Sequence, residues 1–185
     1  MKLWKPLATA TAIATVALCA AQSFAQISPT LADAVTDGRT ADTWLRDGDV
    51  LLFQYAPKTI HFRPSPNHAK WTNMVNVEIQ SKYDRVWGAD QTLFGLALFD
   101  NSFGQFSQYV YWGQKWDLHP NVYAKVTAGL LHGYRGKYRD KIPFNRAEIA
   151  PAIIPSIGVR FGNLSIEGIL LGGAAMQFAV GYTFR

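Results

Sequence analysis

Two short segments carry side chains that together could perform ester chemistry. His61 is followed by Arg63, and Ser102, which comes 41 positions after His61, directly follows Asp100 and Asn101. A histidine that takes the proton of a serine hydroxyl is the smallest pair able to activate that hydroxyl towards an ester. Residue type and spacing do not single out this chemistry, because both segments also resemble ordinary rim and turn sequences. The two side chains can perform this chemistry only if the fold brings them together.

The elements that carry this pair are predicted to be β-strands. From Met176 to Arg185 the chain alternates strictly between bulky apolar side chains and small or polar ones. A period of two is typical of a strand with one apolar face, and similar segments recur along the chain. We predict eight strands, at Val50–His61, Thr72–Ser81, Thr92–Asn101, Phe106–Trp116, Val122–Tyr134, Ile149–Phe161, Leu164–Leu171 and Met176–Phe184.

Charged residues fall on the polar face of several predicted strands. Glu78, Lys125 and Arg160 lie there, and Glu167 is a further candidate. Charges inside a closed sheet are costly unless they pair with one another. We therefore expect an ion-pair network in the interior, and a structural role is favoured over catalysis for these residues.

The N-terminus has the pattern of a secretion signal. Two lysines precede an uncharged run, and small residues then lead to Ala25, where we predict cleavage. The predicted domains are a signal peptide over residues 1–25 and a single barrel domain over residues 26–185. The barrel domain is expected to begin with a short amphipathic helix over residues 31–45.

The exported part of the chain has few options for its fold. Removal of the signal takes away Cys19, the only cysteine, and leaves 16 basic and 13 acidic side chains, a net charge of +3. No later stretch approaches the roughly 18 apolar residues of a spanning helix. An exported chain with eight alternating strands is therefore predicted to be all-β, an eight-stranded antiparallel β-barrel of the outer membrane.

Barrel topology predicts the same end of the molecule for both candidate residues. With the N-terminus in the periplasm, the first and third predicted strands end on the outer side, where such barrels carry their longer loops. The connections 61–71 and 135–148 are then outer loops, and the turn 117–121 lies on the inner side. His61 and Ser102 are expected to face each other across the outer mouth.

Three segments resemble one known family of outer-membrane enzymes. They are Ile60-His-Phe-Arg63, Ala97-Leu-Phe-Asp-Asn-Ser102 and Pro151-Ala-Ile-Ile-Pro155. In these segments the chain is similar to the lipid A palmitoyltransferases, the PagP family, and the resemblance runs at low identity from about residue 60 to residue 184. Those enzymes are eight-stranded outer-membrane barrels with an amphipathic N-terminal helix, and they move a palmitoyl chain from a phospholipid to lipid A. The resemblance implies the same fold and activity here.

The resemblance also implies catalytic roles. The catalytic histidine of the family falls on His61 and its catalytic serine on Ser102. The family carries a carboxylate immediately before the serine, where this chain has Asn101, and the nearest carboxylate is Asp100 one position earlier. Either Asn101 orients the imidazole by a hydrogen bond, or Asp100 reaches it through an altered loop. Ser102 either forms an acyl intermediate or supports an oxyanion.

A glycine inside the barrel forms the floor of the acyl pocket in the PagP family. Alignment from Ser102 places that floor on Gly113, which shares one strand face with Tyr109 and Tyr111. These three residues are therefore expected to hold the acyl chain. A simple bend or bulge at Gly113 is an equally good interpretation of the sequence.

Two prolines predict an opening in the barrel wall. Pro151 and Pro155 lack the N–H that a strand ladder needs, and gaps of this kind admit lipid sideways in the PagP family. Pro151 as the start of a strand is the structural alternative. Arg63, which belongs to the matched histidine segment, is assigned to substrate binding together with the two prolines.

The second long outer loop is basic. Arginine and lysine clusters suit the phosphates that lipid A presents at this depth. A solvated loop with ordinary surface charge is about as good an interpretation. The five cations are Arg135, Lys137, Arg139, Lys141 and Arg146.

The implied reaction sets the expected partners. They are a phospholipid acyl donor, lipid A as acceptor and the outer membrane itself, and a monomer is expected. We predict no cofactor and no metal, because acyl transfer between esters needs neither and no histidine pair has metal-ligand spacing. No nucleotide-binding motif is present, so no nucleic-acid partner is expected.

Two other functions fit the same barrel. One is a non-enzymatic structural or adhesive protein of the cell surface. The other is a lipid A deacylase similar to the PagL family, whose serine follows the catalytic histidine by two positions. None of the four histidines here is followed by serine at that spacing, which weighs against a deacylase.

Overall fold

The fold is that of a closed sheet. The computed structural model describes residues 45–66 and 68–184. The predicted signal peptide and, apart from Leu45, the predicted N-terminal helix lie outside the described residues. In the part of the chain that the structure describes, no helix is long and apolar enough to cross a membrane.

Nine strands of the described chain form one antiparallel sheet. β9 pairs with both β1 and β2, so the sheet closes on itself. Since β1 and β2 are two parts of one side of the wall, the architecture is the eight-stranded antiparallel barrel that the sequence predicts. The strands are β1 Val50–Ala56, β2 Thr59–His61, β3 Met74–Ser81, β4 Gln91–Asp100, β5 Phe106–His119, β6 Val122–His132, β7 Ile149–Phe161, β8 Leu164–Leu171 and β9 Ala175–Phe184.

Three connections on the outer side matter for the site. The first outer loop spans residues 62–73, the second spans residues 101–105 and the third spans residues 133–148. The third contains a short 3-10 helix, Gly136–Lys141. A tight turn at residues 172–174 completes the outer rim.

The first predicted strand is interrupted, where the sequence predicted a continuous strand over Val50–His61. The break falls at Pro57, which has no N–H to donate to a neighbouring strand. β1 pairs with β3 and β9, whereas β2 pairs with β9. In place of a ladder, Thr72 Oγ1 donates a hydrogen bond to Thr59 Oγ1 over 2.8 Å. This contact and a hydrogen bond from the N–H of Thr72 to the carbonyl of Pro57 over 3.3 Å join the chain before β3 to the chain around β2.

Two strand ends differ from the prediction. β5 runs on to His119 with a bulge after Asp117, where the sequence predicted a turn from Asp117 onwards. β6 ends at His132 rather than at Tyr134, because Gly133 has a φ of +125°, a region that favours glycine. The remaining strand ends agree with the prediction to within two residues.

Alternation along the strands sends apolar side chains outwards. In β9, Phe178 and Val180 are about half exposed, whereas Gln177 and Ala179 are buried in the interior. Closure of the barrel leaves most strands paired on both sides, and an apolar outer face suits lipid. The protein is therefore an outer-membrane β-barrel.

Exposed aromatic side chains lie near both ends of the barrel. Phe62 and Trp71 are exposed on the outer side, and Trp87 and Phe161 are exposed on the inner side. Aromatic rings favour the interface between the hydrocarbon layer and water, so two such girdles are typical of spanning barrels.

The inner half of the interior holds the predicted ion-pair network. Lys125 Nζ lies 2.8 Å from Glu78 Oε1 and 3.0 Å from Glu167 Oε2, and all three side chains are buried. Tyr111 donates a hydrogen bond to Glu78 Oε2, and Tyr123 donates one to Glu167 Oε2. The structure confirms that these charges pair, which is the condition for burying them.

Two further cations lie at the inner mouth. Lys115, which is not among the predicted interior charges, is buried and donates hydrogen bonds to Gln80 and Gln91 over 3.2 and 2.8 Å. Arg160 was predicted to join the interior network and instead forms an ion pair with Asp117 at 3.1 Å. Its position near the end of β7 explains the difference, because it reaches the mouth rather than the centre of the barrel.

Candidate active site at the outer rim

His61 and Ser102 meet at the outer mouth of the barrel. The Nε2 atom of His61 lies 2.7 Å from the Oγ atom of Ser102. His61 ends β2 and pairs with Ala175, the first residue of β9, so it lies at the outer end of the wall, next to the turn between β8 and β9. The carbonyl of Ser102 accepts a hydrogen bond from the N–H of Ala69 over 2.7 Å. The first outer loop thus fixes the second, and the pair singled out from the sequence is in contact.

Asn101 shapes the second outer loop. Its Oδ1 atom accepts hydrogen bonds from the N–H groups of Phe103 and Gln105 over 2.9 and 3.1 Å. Its Nδ2 atom donates to Ser107 Oγ over 3.1 Å, and the side chain is buried. None of the hydrogen bonds described for this amide goes to His61. Asn101 therefore holds the turn that presents Ser102, rather than the imidazole itself.

Asp100 does not take over the role of the missing carboxylate. It ends β4 directly opposite Phe106, which is exposed on the outward face. Paired residues share one face of a sheet, so the carboxylate lies on the outer surface of the wall. Its N–H is bound to the carbonyl of Asn73 over 3.1 Å, which fixes this position. In the described structure, neither Asn101 nor Asp100 is brought to His61.

A second histidine contacts His61 instead. The rings of His61 and His68 are stacked, with centroids 3.9 Å apart and planes inclined by 29°. In the sequence, His68 follows Asn67 in the first outer loop and is a weaker catalytic candidate than His61. Its stacking depends on how that loop folds back, and no spacing pattern could have predicted it.

The environment of His61 favours its neutral form. Burial lowers the pKa of His61 from its ordinary value of 6.5, and the neighbouring His68 lowers it further because two imidazolium rings would repel. A neutral imidazole can accept a proton from a hydroxyl. The arrangement can therefore act as a general base towards Ser102.

Aromatic rings connect the three outer loops around this pair. Phe103 of the second loop stacks on Tyr138 of the third loop with centroids 4.1 Å apart. The edge of the same cluster reaches His68, whose ring centroid lies 5.8 Å from that of Phe103. Burial raises the pKa of Tyr134, at the base of the third loop, to about 12. The cluster therefore joins the second and third loops beside the candidate site.

Below the rim, the outer half of the interior contains a cluster of apolar and aromatic side chains. Tyr109 and Tyr111 lie there on the inward face of β5, with ring centroids 5.1 Å apart. The buried cluster comprises Ala56, Met74, Ala97, Tyr109, Tyr111, Leu131 and Ala179, and Phe99, Tyr134, Ile142, Ala152, Ile154 and Ile169 pack against it. The inner half of the interior thus holds the ion-pair network, and the outer half holds this apolar cluster together with buried polar side chains such as Thr59, Thr72 and Gln177.

Gly113 lies on the inward face of β5, next to the level where the two halves meet. A Cβ atom added there would lie 2.8 Å from both Thr127 Cγ2 and the carbonyl oxygen of Val126. The position therefore has no free space beside it in this structure. At the neighbouring level, the ring of Tyr111 covers Gly95. The role of Gly113 as the floor of an acyl pocket stays a prediction.

Half of one strand lacks a partner on one side. β7 pairs with β6 along Ile149–Val159, but its pairing with β8 begins only at Ser156. Pro151 and Pro155 lie on this unpaired stretch and point outwards. The gap lies where the two prolines predicted it, and its use as a lipid passage stays a prediction.

Two cations of the basic third outer loop make contacts within that loop. Arg135 Nε lies 3.1 Å from Glu148 Oε2, and Arg139 Nε donates to the carbonyl of Asn145 over 3.3 Å. Arg63 is exposed in the first outer loop, two residues after His61. These cations surround the outer mouth and could contact anionic headgroups.

The remaining histidines do not join the site. His132 Nε2 lies 3.7 Å from Glu148 Oε2 on the rim, and His119 is exposed at the inner end of β5. Among the described residues, no group of three or more histidine, cysteine or acidic side chains could hold a metal ion. His61 and Ser102 remain the candidate pair at the rim.

Comparison with known proteins gives weak matches. No protein-family model matches the chain, and no curated protein matches it. A de novo designed transmembrane β-barrel is 14% identical with a TM-score of 0.45, and the match covers 76% of this chain and 98% of the designed one. The Yersinia pestis outer membrane protein Ail, solved in a phospholipid bilayer nanodisc, is 14% identical with a TM-score of 0.40, covering 74% and 98% of the two chains. Likeness at this level carries no argument about function.

Proposed function

We propose that the protein is an acyltransferase that moves an acyl chain from a phospholipid to lipid A in the outer membrane. The observation that carries this proposal is the 2.7 Å contact between His61 Nε2 and Ser102 Oγ. The contact lies at the outer rim, where ester bonds of the outer leaflet come within reach. Resemblance to the PagP family supports the choice of donor and acceptor and favours palmitoyl as the transferred group.

The proposed reaction proceeds in two steps. His61 takes the proton of Ser102 as its oxygen attacks the ester carbonyl of the phospholipid, and the lysophospholipid leaves with that proton. A hydroxyl of lipid A then attacks the acyl-serine. The proton of the lipid A hydroxyl passes through His61 to the Ser102 oxygen as the acyl-serine ester breaks. One ester forms for each ester broken, so the reaction needs no cofactor.

In this proposal the acyl chain enters the outer half of the interior. The apolar cluster begins directly below the rim, and the unpaired stretch of β7 opens the wall on the lipid side. Burial of a hydrocarbon chain against apolar side chains is favourable by about 0.8 kcal/mol for each CH₂ group. The chain would have to displace side chains such as Tyr109, because the cluster is closely packed. Cations of the first and third outer loops would meet the phosphates of lipid A.

A structural or adhesive barrel is the second candidate, and the packed interior favours it. Neither Gly113 nor Gly95 leaves open space for a ligand beside it. A barrel whose interior only stabilises the fold would have this packing, and its His61 and Ser102 would be dispensable. A deacylase would use the same pair and would transfer the acyl group to water.

Mass spectrometry of lipid A separates these functions. We expect cells that produce the protein to gain one acyl chain on lipid A, and we expect this gain to disappear in the Ser102→Ala variant. Loss of an acyl chain would indicate a deacylase. Identical lipid A with and without a folded barrel would contradict the proposal and favour the structural candidate.

A further inference from the structure

The catalytic pair lacks the carboxylate that usually orients such a histidine. In triads of this kind a third group hydrogen-bonds the imidazole and holds its orientation. Here Asn101 is bonded within its own loop, and Asp100 lies on the outward face of β4. Some other contact must therefore hold the ring of His61 against Ser102.

His68 makes that contact. Its ring lies 3.9 Å from the ring of His61 in a stacked arrangement, and its Nδ1 atom is buried without a hydrogen-bond partner among the described residues. The ring is held in turn by the edge of Phe103 and by the backbone bond from Ala69 N to Ser102 O. The stack therefore belongs to the same set of contacts that fixes the serine.

We propose that His68 is a positioning residue that holds the imidazole of His61 against Ser102 by ring stacking, in place of a carboxylate. Stacking restricts rotation of the His61 ring and shields one of its faces from water. Unlike a carboxylate, it does not stabilise the imidazolium. The inference deepens the proposed acyl transfer and rests on it for its catalytic meaning.

The charges around His61 agree with this role. Burial and the neighbouring His68 both lower the pKa of His61. The other ionisable side chains of the first outer loop, Arg63 and Lys70, are exposed, and Asp100 lies on the outward face of β4. β9 contributes Ala175, which does not ionise. His68 is thus the titratable group that stacks directly on the base.

The test measures His61 directly in the full barrel. Proton–carbon spectra of the histidine rings in detergent micelles give the titration midpoint of His61 in the wild type, His68→Phe and His68→Ala proteins. We expect the midpoint to rise in His68→Ala, which removes both the stack and the neighbouring charge. In His68→Phe we expect a smaller rise, because the ring remains. His132→Phe changes another rim histidine and is expected to leave the midpoint unchanged.

Acyl transfer supplies the second measurement. We expect His68→Ala to lower kcat by about 10- to 100-fold with little change in KM, because a misplaced catalytic group slows the chemical step. His68→Phe should keep most of the wild-type kcat, and the acid limb of its pH–rate profile should move to higher pH. If the His61 midpoint rises in His68→Ala but not in His68→Phe, the result still supports positioning, because the aromatic ring of phenylalanine then replaces that of His68.

An unchanged or lowered His61 midpoint in both variants would overturn the role of His68. This outcome differs from failure of the proposed function. If the wild-type protein transfers no acyl chain at all, the function is wrong, and the titration of His61 still establishes whether His68 controls that ring.

Discussion

The imidazole of His61 contacts the hydroxyl of Ser102 at 2.7 Å, although 41 positions separate the two residues. Each residue lies at or just beyond the end of a strand, so the closed wall of the barrel sets their approximate distance. The hydrogen bond from Ala69 to Ser102 then ties the two outer loops together. Rigid elements hold reacting groups more precisely than loops alone, and this site combines both.

Replacement of either member of the pair should abolish acyl transfer. We expect His61→Ala and Ser102→Ala to lower the rate by about three or more orders of magnitude, because such residues act as a unit. Transfer of a labelled acyl chain from phospholipid to lipid A measures the effect. His132→Gln, a change at another rim histidine, serves as the matched control and should keep its activity. Full activity in folded Ser102→Ala would contradict the assignment.

The residues before Ser102 should matter in a different way. Asn101→Ala removes the side chain that holds the turn, so we expect partial loss of activity together with a less stable second outer loop. Asp100→Ala should retain most of the activity, because its carboxylate lies on the outward face. Acyl-transfer rates and proteolysis of the loop test both variants. Loss of activity in Asp100→Ala equal to that in Ser102→Ala would show that the carboxylate does reach the site.

The sequence predicts most of the barrel because its strands obey a simple period. The alternation in β9 puts Phe178 and Gln177 on opposite faces, and in the structure Phe178 is exposed whereas Gln177 is buried in the interior. Local exceptions were harder to predict. Pro57 breaks the first strand although apolar residues continue past it, and Gly133 ends β6 through a backbone angle that pattern alone does not reveal.

The site was only partly predictable from the sequence. Residue types and barrel topology predicted His61 and Ser102 as a pair, since both fall at the outer ends of predicted strands. The partners of His61 could not be predicted in the same way, because loop contacts have no fixed spacing. The resemblance pointed to a carboxylate near Ser102, whereas the structure places His68 on the ring.

The activity should persist below the usual pH limit of a histidine base. The pKa of His61 is lowered from 6.5 by burial and by His68, so the neutral base remains available as the pH falls through 6.5. We expect the acid limb of kcat/KM to have its midpoint below that value. A pH–rate profile with a micellar substrate measures it. An acid limb above 6.5 would mean that the environment of His61 differs from the one described.

Removal of Lys125 should destabilise the barrel. The Lys125→Met change leaves Glu78 and Glu167 buried without a cation, and breaking a buried pair costs about 3–5 kcal/mol. Denaturant unfolding in lipid vesicles measures the free energy of unfolding, and the gel mobility of unboiled samples reports the folded barrel. Lys137→Met, in the exposed third loop, should change the stability by less than about 0.5 kcal/mol. Equal stability of the two variants would show that the ion pairs contribute little.

Gly113 offers a test of chain-length selection. A side chain there would enter the closely packed level between the apolar and polar halves, so Gly113→Met should exclude the end of a long acyl chain. Each CH₂ group excluded from burial costs about 0.8 kcal/mol, which favours shorter donors. Its Cβ atom would lie 2.8 Å from Val126 O, so some loss of stability is also expected. Transfer rates from phosphatidylcholines of graded chain length measure the preference.

Gly168→Met, on the outward face of β8 where an added Cβ has ordinary contacts from 3.5 Å, is the matched control. An unchanged length preference in folded Gly113→Met would mean that chain length is set elsewhere in the barrel.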